Sequence, residues 1–137
     1  MELSMAVHKR FGAFELQTDF STSGEAIGVF GQSGSGKSTL VSLLAGLVQP
    51  DAGEILLDGE CLFSSSRRID LPPQRRRVGI VFQNACLFPH LDVRANLLYG
   101  YRRSAPEHRK IDFDTLVGVL RLEELLQRGV NRLSGGE

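Results

Sequence analysis

Gly31-Gln32-Ser33-Gly34-Ser35-Gly36-Lys37-Ser38-Thr39 is the stretch from which the fold of this 137-residue chain is read. Gly31, Gly36, Lys37 and Ser38 stand at the spacing G-x-x-x-x-G-K-[ST] of a phosphate-binding loop. A short apolar run, Ala26-Ile27-Gly28-Val29-Phe30, precedes the loop, and Leu40, Leu43, Leu44 and Leu47 follow at helical spacing. The loop is therefore predicted to join a strand to a helix, which is the context the motif requires. Glycines let the backbone turn tightly and approach phosphates with no Cβ in the way. Successive N–H groups then face one concavity at the positive end of the following helix. Lys37 supplies a mobile point charge for β- and γ-phosphates, and the Ser38 hydroxyl is suited to a Mg²⁺ shell. The alternative is a glycine-rich turn with no ligand; the concurrence of glycine, lysine, serine and both flanking elements argues against it. Gly31 to Thr39 is thus a predicted nucleoside triphosphate site.

Upstream of the loop, Leu3, Met5 and Val7 alternate with polar or small residues, and so do Phe14, Leu16, Thr18 and Phe20. Period two predicts two strands, each with one buried face, joined near Phe11-Gly12. Downstream, the helix is expected from Lys37 to about Leu47, and Val41, Ala45 and Val48 widen its apolar stripe enough to pack on a sheet. Pro50-Asp51-Ala52-Gly53 ends that unit, and Glu54 to Gly59 reads as a strand running into a turn. Ser64 to Arg77, with the run Arg75-Arg76-Arg77, reads as a solvated loop. Val78-Gly79-Ile80-Val81-Phe82 reads as a buried parallel strand, ending on Gln83 where α/β sheets place ligands. Beyond it only helices are expected: one capped by Asp92 and carrying Val93, Asn96 and Leu97, then Phe113, Leu116, Val117 and Leu120, then Leu122, Leu125 and Leu126. The division expected is a β-rich part with the loop, residues 1–83, and a helical part, residues 84–137.

Composition narrows the class. Apolar residues at 42% and charged residues at 23% fit a globular domain. A formal net charge of zero removes a global electrostatic case for nucleic acid or anionic lipid. No apolar run approaches the roughly 18 residues of a spanning helix, and Met1 to Arg10 lacks a secretory pattern. Cys61 and Cys86 lack C-x-x-C spacing and read as buried thiols. Together these predict a cytosolic site.

The chain ends Leu133-Ser134-Gly135-Gly136-Glu137. A phosphate loop, a strand ending in Gln, a helical segment and then L-S-G-G-E, in that order, resembles the ATP-binding cassette family, with its Walker A loop, Q-loop and signature. The resemblance covers the whole chain. It implies a P-loop NTPase core with N-terminal antiparallel strands and a helical subdomain, as an incomplete cassette domain of α/β class. It implies ATP and Mg²⁺ as ligands, with Lys37 and Gln83 in catalytic roles and Ser38 and Gln83 near the metal. Ser134, Gly135 and Gly136 would cap the γ-phosphate of ATP held by the other subunit of a head-to-tail homodimer, from a helix beginning near Ser134. Phe11, with Phe14 as second choice and more a core residue, is the aromatic expected to stack on adenine.

Arg76 to Gln83, Leu87-Phe88-Pro89-His90, Val93, Asn96-Leu97 and Tyr99-Gly100 are similar to ATPase subunits of molybdate importers, and much of this is shared with importers of sulfate, thiamine, iron and polyamines. This implies a translocase subunit on the cytoplasmic face of the membrane, held by permease subunits that receive solute from a binding protein. Residues Cys86 to Asn96 would lie near the permease. Soluble cassette ATPases acting on DNA or ribosomes, small P-loop kinases and non-catalytic remnants are the rival readings. The family continues past its signature to a Walker B aspartate, a catalytic glutamate and a switch histidine, which these residues lack; His90 and His108 do not match the switch position. Residues 1–137 alone are therefore expected to be deficient in hydrolysis, with an exposed apolar edge.

Overall fold

The computed structural model describes residues 1–83, 86–134 and 136. The chain divides into two compact units, Met1–Ile80 and Val81–Glu137. The first is built on a sheet of strands β1 (Glu2–Phe11), β2 (Phe14–Ser23), β3 (Ala52–Leu57), β4 (Glu60–Ser64) and β5 (Ile69–Asp70). Their order is β2-β1-β3-β4-β5, and every neighbouring pair is antiparallel. The alternation in β1 and β2 translates into the expected hairpin, with Met5 opposite Phe20 and Phe11 opposite Phe14. Asp58-Gly59 closes the β3–β4 hairpin with φ of 48° and 81°, the left-handed pair that a two-residue turn needs.

Helix α1 (Lys37–Ala45) covers the sheet. Its Leu43 joins Leu3, Met5, Val7, Ile55, Leu62 and Phe63 in one buried cluster, with Leu40, Leu44 and Val48 packed at its margin. The helix is shorter than its apolar stripe. Gly46, at φ 77°, ends it by donating its N–H to Leu43 O, and Leu47 beyond is half exposed. Gly53 sits where β3 crosses β1 most closely: an added Cβ would lie 2.0 Å from Ala6 O.

Two expectations for this unit are corrected. Residues 26–30 form no strand, and Phe30 is 94% exposed. An apolar run becomes a strand only when a neighbour completes its ladder, and none does so among the described residues. The stretch 64–77 is not merely a solvated loop: β5 and a single 3₁₀ turn, Pro73–Arg75, lie within it. Arg76 is buried at 1% exposure. Its Nε donates to Leu71 O at 2.7 Å, Nη1 to Leu43 O at 2.7 Å and Leu44 O at 3.0 Å, and Nη2 to Asp70 Oδ1 at 2.9 Å. A planar fork of donors meets carbonyls and a carboxylate on three sides, which is how a charge is buried without an orphaned group.

The second unit contains α2 (Val93–Tyr101) and α3 (Phe113–Leu120), each capped by an aspartate. Asp92 accepts from Ala95 N–H at 2.7 Å, and Asp112 accepts from the Thr115 backbone N–H at 2.9 Å and from its hydroxyl. Asn96 ties the preceding turn down. Its Oδ1 accepts from Phe88 N–H at 2.8 Å, while its Nδ2 donates to the Phe88, Leu91 and Asp92 carbonyls. Residues 78–82, read as a buried strand, have no ladder partner among the described residues, and Val81 is 99% exposed. Leu122 to Leu126 turn without becoming a helix, and an isolated bridge joins Asp92 to Gly129. Arg121, at φ 54°, is the physical reason: it takes the left-handed conformation that ends α3 and deflects the chain. Of the two free thiols, Cys61 is half-buried and Cys86 exposed, so the buried reading does not hold for Cys86. No helix among the described residues is long and apolar enough to cross a membrane.

Candidate phosphate-binding site

The loop from Gly31 feeds directly into α1, whose N-cap is Gly36 at φ 95°. The first helical bond runs from Leu40 N–H to Gly36 O at 2.8 Å. The amides of Lys37, Ser38 and Thr39 thus stand ahead of the helical ladder and face the loop with the positive end of the helix dipole. Within the loop, Gly34 adopts φ 81°, and Ser35 N–H donates to Gln32 O at 3.2 Å. A Cβ on Gly31 would lie 2.7 Å from Ser35 Oγ, so glycine is what allows the two sides of the loop to close to this distance.

Lys37 reaches back across the concavity. Its Nζ donates to Gly31 O at 2.8 Å and Gln32 O at 2.7 Å, which holds the ammonium against the start of the loop. An ammonium has three donors, so one remains for an oxygen beyond the two carbonyls. Gln32, Ser33, Ser35 and Ser38 are exposed, whereas Lys37 and Thr39 are half-buried. A cavity of ≈ 270 Å³ opens beside the ammonium, between β2 and the loop, with Leu16, Phe30, Gly36 and Lys37 in its wall.

Sequence reasoning missed how β2 shapes this site. A Cβ on Gly36 would meet Leu16 Cδ1 at 3.0 Å and Phe14 Cζ at 3.1 Å. The face of β2 carrying Phe14 and Leu16 therefore presses on the N-cap of α1; Phe14 is half-buried there and lies outside the core cluster. The period-two pattern put both residues on one face, but it gave no sign that the face ends against the loop. Phe11 stands at the hairpin end of β1, 45% exposed, with Lys9 Nζ 5.3 Å from its ring centroid.

Gln83 is exposed and lies in the second unit at a bend after residues 81 and 82. Ser134 and Gly136 are exposed and belong to no helix, while Gly135 lies outside the described residues. His90 is exposed; the side chain of His108 lies outside what is described. No cluster of three His, Cys, Asp or Glu residues able to hold a metal occurs among the described residues. The first turn of α1, with the hydroxyls of Ser38 and Thr39 and no carboxylate, fits a Mg²⁺ ion held chiefly by phosphate oxygens and water.

Comparison with known proteins decides the family, because the model for the ABC transporter family matches residues 17–137. The chain belongs to the ABC transporter family. The match takes in the loop, α1 and the terminal Leu133-Ser134 stretch alike. Among the family's members, the molybdenum import ATP-binding protein ModC of Rhizobium etli is 46% identical over 137 residues, covering 100% of this chain and 39% of the relative. ModC of Rhizobium meliloti is 42% identical over 100% of this chain and 38% of the relative. ModC of Vibrio cholerae is 45% identical over 99% of this chain and 36% of the relative. The chain thus spans less than two-fifths of the length of these family members.

Proposed function

We propose that this chain is the nucleotide-binding part of an ABC importer ATPase, that it binds ATP with Mg²⁺, and that the importer it serves carries molybdate. The observation that carries the reading is the Gly31–Thr39 loop, which runs into the N-terminus of α1 and whose Gly31 and Gln32 carbonyls hold the Lys37 ammonium against it. The similarity to molybdenum import proteins over the full chain supports the choice of solute.

In this reading Gly31, Gln32, Ser33, Gly34, Ser35, Gly36 and Thr39 wrap the phosphates with backbone N–H groups. Lys37 exchanges its bonds to Gly31 O and Gln32 O for phosphate oxygens as the ligand enters. Ser38 would offer its hydroxyl oxygen as a ligand to Mg²⁺, and the ion would supply neutralisation of phosphate charge. Phe11 offers a ring face to adenine, and Gln83 is assigned to the metal and the attacking water. Ser134, Gly135 and Gly136 are assigned to the ATP of a second copy packed head to tail.

Residues 1–83 and 84–137 form the β-rich and helical parts of one cassette domain. The partners are a second copy, membrane permease subunits and, through them, a solute-binding protein; the place of action is the cytoplasmic face of the membrane. Among the described residues, donors and a cation for phosphates are present without a carboxylate or imidazole in the wall of the cavity beside the loop, so by themselves they are expected to hold ATP without transporter-like turnover.

Binding of a fluorescent ATP analogue tests the assignment. Lys37→Ala should abolish most of the affinity, and Ser134→Arg should leave it intact while preventing ATP-dependent dimerisation. Equal loss of binding in both variants contradicts this division of roles. Cells lacking the gene should lose molybdate uptake and regain it with the wild-type gene but not with Lys37→Ala; a deficit confined to another solute would overturn the choice of molybdate.

A further inference from the structure

The geometry points to Arg76 as a positioning residue of the phosphate loop, acting through α1 from its far end. The inference rests on the reading of Gly31–Thr39 as a nucleotide site. Helix α1 has nine residues, so it spans only about 13 Å. Over that length a helix behaves as a rigid rod, and a slide or rotation at one end is delivered to the other. Its N-terminus bears Lys37 and the amides of the loop. Its last turn bears Leu43 O and Leu44 O, and both accept from Arg76 Nη1.

Three features separate this contact from ordinary packing. The guanidinium is wholly buried, and it donates to the Leu71, Leu43 and Leu44 carbonyls and to the Asp70 carboxylate, which sets its position in three directions. Gly46 makes room for it: a Cβ there would lie 2.6 Å from Arg76 Nε, and φ of 77° already favours glycine. The charge is also placed at the negative end of the helix dipole, opposite the end offered to phosphate. An apolar side chain of similar volume could fill this space without the cost of burying a charge. What it could not do is fix the axial position of α1 against β5. Arg76 also stands seven residues before Gln83, so the clamp is made by the same run of chain that leads to that glutamine.

The test compares full-length wild type, Arg76→Lys, Asp70→Ala and Lys37→Ala. Affinity for a fluorescent ATP analogue is measured at a temperature where circular dichroism shows each protein fully folded. Lysine keeps the charge but cannot bridge Leu71 O, the α1 carbonyls and Asp70 at once. Arg76→Lys is expected to weaken binding about tenfold, within the usual range of coupling between distant sites. A purely structural arginine would lower the melting temperature and leave the affinity of the folded protein unchanged, and that result overturns the proposal.

Should Arg76→Lys fail to fold, Asp70→Ala carries the test, because it removes the acceptor that anchors the guanidinium to β5 while leaving the chain around Arg76 intact. Weaker binding in that variant supports the clamp, and unchanged binding overturns it. Wild type that binds no better than Lys37→Ala would instead overturn the nucleotide-site reading.

Discussion

Replacing Gly36 by alanine tests whether the N-cap of α1 is the point where β2 sets the shape of the phosphate loop. Two costs follow from the geometry. Gly36 holds φ 95°, and an L-residue forced into that half of the backbone map costs about 1–2 kcal/mol. The new Cβ would also meet Leu16 Cδ1 at 3.0 Å and Phe14 Cζ at 3.1 Å. Both are side-chain ends that can give by a few tenths of an ångström, so about 1 kcal/mol, the gentle end of overpacking, is appropriate. The sum is about 2–3 kcal/mol.

This energy has two places to go. If the loop keeps its shape, the strain remains in the folded protein and the unfolding free energy falls by the full amount. If the loop relaxes, stability is spared but the amides no longer converge, and affinity for ATP falls by up to about 30- to 150-fold. Urea unfolding and titration with a fluorescent ATP analogue, on the same preparation, read both quantities. The two losses together should come to about 2–3 kcal/mol. A variant with unchanged unfolding and unchanged affinity would refute the account of why glycine stands at this position.

Gly53→Ala is expected to cost at least about 3 kcal/mol in urea unfolding, because the Cβ would lie 2.0 Å from Ala6 O and 2.7 Å from Val7 Cα, backbone atoms that cannot step aside; a shift under about 1 kcal/mol contradicts the close β1–β3 approach. Asn96→Ala, which removes the acceptor for Phe88 N–H and the donor to three carbonyls, should cost about 1–2 kcal/mol. Asn96→Asp turns a carboxylate oxygen toward those same three carbonyls, so it should cost at least as much as alanine. Acid should weaken the fold through three carboxylates whose folded pKa lies below the ordinary value. Asp51 is held down by the hydrogen bond from Lys9 and then by Arg10 N–H, Glu54 by Arg67, and Asp112 by the Thr115 hydroxyl and N–H. A depressed pKa gives stability that is complete above the unfolded value, 3.8 for the aspartates and 4.5 for Glu54, and is lost as pH falls through the folded one. Thermal melts from pH 6 downward should therefore decline below about pH 4.5, and Asp112→Asn should make that decline shallower; an unaltered profile in the variant would remove Asp112 from the set.

What could be read from the sequence was whatever is settled by neighbours along the chain. The phosphate loop is recognisable because its chemistry lies within nine consecutive residues, and the β1–β2 hairpin because period two and a short connection suffice to specify it. The aspartate caps of α2 and α3 act over three residues, although only Asp92 was anticipated. Failure begins where the deciding partner is remote. Arg76 looks like one member of a basic run, and although Asp70 and Leu71 O bind it locally, nothing in their spacing predicts burial. Its fate is set by Gly46, Leu43 O and Leu44 O, about thirty positions away, where a missing Cβ and the end of a helix leave a hole of the right shape.

The runs 26–30 and 78–82 fail in the opposite direction. Their composition is that of buried strands, but composition supplies only a preference for extended backbone, whereas a strand exists through the hydrogen bonds of its neighbour. Phe30 and Val81, almost wholly exposed, mark the places where that preference goes unanswered among the described residues. The same distinction explains the site. Lys37 and the loop glycines could be assigned a role from spacing, while the pressure of Phe14 and Leu16 on Gly36 could not, because it arises only once β2 has paired with β1 and its face has been carried to the end of α1. A motif thus names the atoms proposed to meet phosphates, and pairing elsewhere in the chain shapes the loop that carries them.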